Sequence, residues 1–184
     1  MLEALARRVS DVTGCPIVGG VAVMLHGGGR HTYDIDVCSE DLWESHQRLV
    51  AAGIPWDNDR REHLIEGVPV HLVRAAALGG PPGRISTVRG IRVLCLADLV
   101  RVKLALGLDG PRRAKDIAHV VDLIQRVPLG KDFAAKLPPT LRVPFKRLVE
   151  DVSGPRRTTL SKITASSRAG VKDHPKRLAK GFSA

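Results

Sequence analysis

The stretch that most restricts this chain is YDIDVCS, residues 33–39, where acidic and apolar side chains alternate. Such alternation predicts a strand, with Ile35 and Val37 on the core face and Asp34 and Asp36 together on the other, because side chains two apart share a face. Two carboxylates 4 Å apart repel by roughly 4 kcal/mol at an effective dielectric of 20. On an anchored strand that repulsion needs an offset: a shared proton, an arginine or a divalent cation. Glycine is dense just upstream, at Gly19-Gly20 and at Gly27, Gly28 and Gly29. A glycine pair opening a helix lets backbone N–H groups approach a phosphate. One or two carboxylates completed by phosphate oxygens are the usual way to hold Mg²⁺. A lone DxD is a weak signal and in most instances is two solvated aspartates in a turn-rich loop.

Along the chain, Leu2, Leu5, Ala6, Val9 and Val12 form a helical stripe closed by Gly14. Ile17-Val18 is short and extended, and residues 21–27 read as a buried short helix or a strand, the helix being favoured with the second glycine cluster as its stop. A helix is expected from Ser39, with Glu40 and Asp41 suiting the helix dipole, to about Ala52. Strands follow at 62–66 and 68–73, joined at Gly67 as a hairpin, and at 89–95. Helices are expected from Ala97 to the Asp109-Gly110-Pro111 break, over 112–126, over 131–137 and over 141–151. This order is that of an α+β domain with a helical C-terminal half.

With 43% hydrophobic and 26% charged residues the chain is globular. Cys15, Cys38 and Cys95 form no CxxC and cannot all pair, so a cytoplasmic location is the simplest setting. The apolar run from Pro16 to Leu25 is diluted by glycine and too short for a membrane span, and no targeting segment is expected. Residues 152–184 hold eight Lys/Arg against one acid, +7 of the net +10, leaving +3 for the rest. Two readings of this tail stand level: a polyanion-binding segment, or a solvated, disordered one that aids solubility. Aromatic residues are 3% of the chain, which gives little support to a base-stacking platform.

Val18-Gly19-Gly20, thirteen residues, then Asp34-Ile35-Asp36-Val37 resembles the hG[GS]…Dh[DE]h signature of the nucleotidyltransferase fold, the polymerase-β-like superfamily. In HGGGRHTYDIDV, Arg30 and Thr32 precede the acids, as in the branch of AbiEii-type toxin nucleotidyltransferases. LADLVRVKLALGLDGPRRAKDIAHVVDLI, residues 96–124, is similar to that branch's second motif. The resemblance covers about residues 15–125. It implies a nucleotidyltransferase-like mixed β-sheet with flanking helices over 1–95, a helical C-terminal part over 96–151 and the basic tail beyond. It also implies that Asp34 and Asp36 hold Mg²⁺ or Mn²⁺ and catalyse, and that Gly19, Gly20, Arg30, Thr32 and Lys103 contact an NTP. Asp116 would orient the lysine or the substrate. Read alone, Lys103 snorkels beside the stripe of Leu99, Val102 and Leu106; joined to the first motif it is a phosphate clamp. Arg112, Arg113 and Lys115 read equally as phosphate contacts or as an exposed helix start.

One departure stands out. The family's third carboxylate, on a later strand, is replaced by His71 in GVPVHLVRA. Imidazole suits Mn²⁺ better than Mg²⁺ and can act as a general base. His71 is thus a working base, a relic in a site that binds nucleotide without turnover, or an edge-strand residue out of register. Glu66, Asp57 and Asp59 are the nearby acids, none in the expected place. His26 and His31 match no zinc spacing and read as loop histidines. Two functions follow. One is an enzyme moving an NMP from an NTP to a hydroxyl on RNA, such as tRNA, or on protein, within a toxin–antitoxin or phage-defence pair. The other is a catalytically impaired module binding nucleotide, nucleic acid or an antitoxin-like operon partner.

Overall fold

Ile35–Ser39 forms β2, the strand around which the rest of the sheet is ordered. The computed structural model describes residues 1–79 and 83–154, and Met1–Ser153 make one compact unit. The expected basic tail falls, from residue 155 on, outside the described residues. Before β2 come helix α1 (Leu2–Thr13), strand β1 (Ile17–Val18) and helix α2 (Gly19–Leu25). After it come α3 (Leu42–Ala51), β3 (Trp56–Asp57), β4 (Glu62–Ile65), β5 (Val68–Arg74), β6 (Ile85–Val88) and β7 (Ile91–Leu94). The last part is helical: α4 (Leu96–Leu108), α5 (Ala114–Arg126) and α6 (Pro139–Ser153), with 3-10 turns at Pro111–Arg113 and Lys131–Lys136.

The seven strands run β3-β4-β5-β2-β1-β7-β6. β2 pairs antiparallel with β1 and parallel with β5, and β1 is parallel to β7, so the sheet is mixed. Together with its flanking helices and the helical last part this is an α+β architecture built on one mixed sheet. Ile35 and Val37 point into a core closed by Leu5, Ala6 and Val9 of α1 and Leu49 of α3. The opposite face carries Cys38 into a second core built on Leu99, Val100 and Leu104 of α4, Leu123 of α5 and Phe145 of α6. Asp34 and Asp36 lie on that second side, near its open end. α2 serves both cores, Val21 and Leu25 going to one and Ala22 and Val23 to the other.

Several boundaries differ from the sequence reading, each for a local reason. Tyr33 and Asp34 precede β2, because pairing with β5 starts at Ile35. Helix α3 is capped by Asp41, whose side chain accepts from the N–H groups of Trp43 and Glu44, both at 2.9 Å. Ser39 stays in the strand, buried, its hydroxyl donating to the Asp41 carbonyl at 2.7 Å. Arg89 and Gly90 are not strand but turn, with φ of 50° and 76°, and they join β7 to β6, a strand the sequence reading lacks. β3 is likewise absent from that reading. The β4–β5 hairpin turns at Glu66-Gly67, both at positive φ (51° and 80°), as expected for a two-residue turn. The helix expected over 131–137 is a 3-10 turn, Lys131–Lys136, and α6 begins earlier than expected, at Pro139.

Candidate active site

The register of the sheet sets the site. Asp36 sits opposite Val18 on one side and opposite His71 on the other. His71 Nδ1 lies 3.4 Å from Asp36 Oδ1 and 3.8 Å from Asp34 Oδ2. One ligand atom from each of Asp34, Asp36 and His71 falls within 4.8 Å of the others, a spacing suited to a single cation. The donor chemistry agrees. Burial, and then the charge of Asp34, raise the Asp36 carboxyl above the usual carboxylate range, against the pull of His71 and Lys103. The site thus concentrates negative charge that a divalent ion would neutralise. Thr32 donates its hydroxyl hydrogen bond to Asp34 Oδ1 and holds that carboxylate in place.

His71 is held from behind by a residue that the sequence reading passed over. Its Nε2 is 3.0 Å from Glu62 Oε2. With Nε2–H donated to that carboxylate, Nδ1 faces the aspartates. Burial alone would lower the His71 pKa, but the Glu62 hydrogen bond and the charges of Asp36 and Asp34 outweigh it and raise it. The signal for Glu62 was in the hairpin. Counting outward from the Glu66-Gly67 turn pairs 65 with 68 and 63 with 70, so 62 lies one step further, beside 71.

Gly19 and Gly20 open α2 next to the acids, and their backbone is needed for closeness. A Cβ on Gly19 would overlap the Asp36 carboxylate, and one on Gly20 would overlap the Thr32 side chain. Gly19 also has φ of 65°, a left-handed conformation that costs an L-residue about 1–2 kcal/mol. Gly19→Ala is therefore expected to lose at least that much stability and to displace Asp36. Chemical denaturation, with calorimetry of manganese binding, checks both.

Lys103 and Asp116 form a buried ion pair across α4 and α5, Nζ to Oδ1 at 2.8 Å. The pair lines a cleft of about 200 Å³ together with Gly19, Asp34 and Asp36. An ammonium has three donors, so Lys103 has hydrogens left for a second anion. Arg113 and Lys115 line the same cleft, and Arg113 Nη1 is 3.8 Å from Asp116 Oδ2. Arg30, exposed, borders an adjoining recess with Thr32, Lys115 and His119. Its loop is tied down by Asp122 of α5, whose Oδ2 accepts from the N–H groups of Gly29 at 2.7 Å and Arg30 at 3.3 Å. His26 bonds the Leu94 carbonyl at 2.8 Å, as befits a structural histidine.

His119 is buried beside the Lys103–Asp116 pair, its Nδ1 without a hydrogen-bond partner among the described residues. Burial, and then the charge of Lys103, push its pKa down to about 4. The unfolded chain takes up this proton near pH 6.5, whereas the folded protein resists until about pH 4. Stability is thus retained above pH 6.5 and falls as the pH drops toward 4, by up to about 3 kcal/mol in all. Denaturant unfolding at pH 7 and pH 5 should show a smaller difference in His119→Gln than in the wild type.

No family model matches the chain, and no curated protein does. Among solved structures, five chains match. One is the crystal structure of a candidate nucleotidyltransferase from H. pylori, with a TM-score of 0.51 and 16% identity, covering 82% of this chain and 80% of that one. No helix among the described residues is long and apolar enough to cross a membrane. The likeness in backbone course, over most of both chains, establishes that this protein has the nucleotidyltransferase fold.

Proposed function

We infer that the protein transfers a nucleoside monophosphate from an NTP to a hydroxyl acceptor with the help of a divalent ion. The observation that carries this reading is the convergence of Asp34, Asp36 and His71 at one point beside the buried Lys103–Asp116 pair. A cation bound by Asp34 and Asp36 would neutralise phosphate charge and stabilise the leaving pyrophosphate. Lys103, with Arg113 and Lys115 at the cleft wall, binds and orients the triphosphate. Asp116 keeps the ammonium aimed at the cleft. His71 Nδ1 takes the proton of the incoming hydroxyl, and Glu62 steadies the imidazolium that results. The Glu62 contact favours a working base over a relic, because an idle histidine needs no carboxylate holding its far nitrogen.

The HGGGRHTYDIDV stretch supports placing the chain on the AbiEii-type branch, hence a toxin role in the cytoplasm with RNA, such as tRNA, as acceptor and an antitoxin as partner. The test incubates the protein with each labelled NTP, total tRNA, and Mg²⁺ or Mn²⁺. Label incorporation is expected, lost in Asp34→Ala; incorporation equal in wild type and Asp34→Ala overturns the assignment. His71→Ala is expected to slow incorporation by about 100-fold, and His71→Asp to restore it with Mg²⁺. An unchanged rate in His71→Ala removes the base from the mechanism.

A further inference from the structure

The chain has only two Trp, one Tyr and three Phe, yet both tryptophans border a single cleft of about 480 Å³. Trp43, in the first turn of α3, is 67% exposed, and Trp56, in β3, is 40% exposed. Isolated exposed aromatics are ordinary; both tryptophans of a chain facing one concavity are not. His46 lies between them. It stacks on Trp43, ring centres 5.3 Å apart and planes 19° apart, and meets Trp56 edge-on at 5.7 Å.

This aromatic wall is fixed from below. His63 is fully buried, its Nδ1 3.0 Å from the Ile54 carbonyl and its Nε2 3.0 Å from His46 Nδ1. Nδ1–H donating to the carbonyl leaves Nε2 to accept from His46, so one chain of hydrogen bonds sets the ring the tryptophans pack against. Burial lowers the His63 pKa, which keeps that ring neutral and the chain intact.

The cleft adjoins the reacting groups, since Glu62 and His71 line its wall. Arg61 and Arg74 also line it, and among the described residues neither is in an ion pair. In the sheet, β5 with His71 flanks β2 on one side. Gly19 at the end of β1, and Lys103 on the helix following β7, flank it on the other.

We propose that this cleft seats the 3′-terminal nucleotide of a single-stranded RNA acceptor. Its base stacks on the Trp43 and Trp56 faces and its phosphates meet Arg61 and Arg74, which leaves its terminal hydroxyl at the edge of β5 that carries His71. Flat, sequence-tolerant aromatic faces and unpaired guanidinium groups together fit a nucleotide. An apolar peptide would leave both arginines unanswered. The volume suits a ligand of nucleotide size. The inference rests on the nucleotidyl-transfer reading, because an acceptor needs a reaction to enter.

Intrinsic fluorescence tests it, because the chain's tryptophans report on this cleft and not on the basic tail. Titration of the full-length protein with hexa-adenylate RNA is expected to quench the emission. Trp43→Ala should weaken the affinity read from the remaining tryptophan by about tenfold, while Trp43→Phe stays near the wild type. Arg61→Gln, independent of the aromatic packing, should reduce the slope of log affinity against log salt by about 0.7. Manganese-dependent binding of non-hydrolysable NTP analogues, by calorimetry, reports the triphosphate site separately. If the analogues bind but the RNA leaves the fluorescence unchanged, or if Trp43→Ala and Arg61→Gln bind the RNA as the wild type does, the acceptor cleft is refuted and nucleotidyl transfer stands. If an NTP analogue quenches the tryptophans and Trp43→Ala weakens it, the cleft belongs to the NTP and the proposal is overturned. If no analogue binds the wild type, the underlying reading fails and takes the acceptor with it.

Discussion

Asp36→Asn should abolish nucleotidyl transfer and, in the same protein, raise the melting temperature of the metal-free form. The two effects have one cause. Burial and the neighbouring Asp34 raise the Asp36 pKa, so the ionised form is held at a cost in the folded state. At neutral pH that cost is present, because the unfolded chain ionises the group freely. An amide of the same shape removes the charge and its repulsion while keeping the volume. It also removes a candidate ligand from the cluster with Asp34 and His71, and with it, on the proposed mechanism, several kcal/mol of charge stabilisation, about a thousandfold in rate. Thermal unfolding with and without Mn²⁺ separates the contributions. The wild type should gain stability with added metal; Asp36→Asn should start higher and gain nothing. A variant less stable than the wild type without metal would show that the repulsion is relieved in some other way.

Among substitutions in the cleft, Lys103→Met should be the most destabilising. Lys103 and Asp116 are both buried, and the second Asp116 oxygen has no hydrogen-bond partner among the described residues. Removing the lysine strands a carboxylate in the core, a change that costs about 3–5 kcal/mol in comparable pairs. Arg113, 3.8 Å from Asp116 and largely exposed, is a poor substitute. The double variant Lys103→Met/Asp116→Leu should recover most of the loss, since an apolar pair of similar volume needs no partner. It should recover no incorporation, because the ammonium proposed to meet the triphosphate is gone. If Lys103→Met alone folds as stably as the wild type, the pair adds nothing to stability. If the double variant keeps activity, Lys103 is not the phosphate contact.

The parts of this site that were legible in the sequence are those written as local pattern. Alternation placed Asp34 and Asp36 on one side, and the glycine pair marked a close approach. The geometry gives that approach a nearer reason than phosphate binding, since Gly19 and Gly20 make room for Asp36 and Thr32. The illegible parts depend on pairing. β3 is two residues long and exists through its ladder with β4, not through propensity. β6 is an edge strand with Ile85 and Thr87 turned outward, so it carries no buried stripe to read. Ser39 and Asp41 are both good caps, and only burial of Ser39 in β2 decides between them. A low share of aromatics gave little support to a stacking surface, and an average over the chain does not show that both tryptophans pack on His46 and border one cleft.

The tether from Asp122 to the loop at Gly29 and Arg30 has a further consequence. A carboxylate more than ninety positions downstream fixes the segment leading into Asp34 and Asp36, and Lys103 reaches the same cleft from the helical half. A polypeptide severed between β7 and α4 would leave the first fragment with aspartates but no cationic wall and an untied approach, and the second with a lysine facing nothing. Neither fragment would hold the whole cleft; the two would have to reassociate to rebuild it.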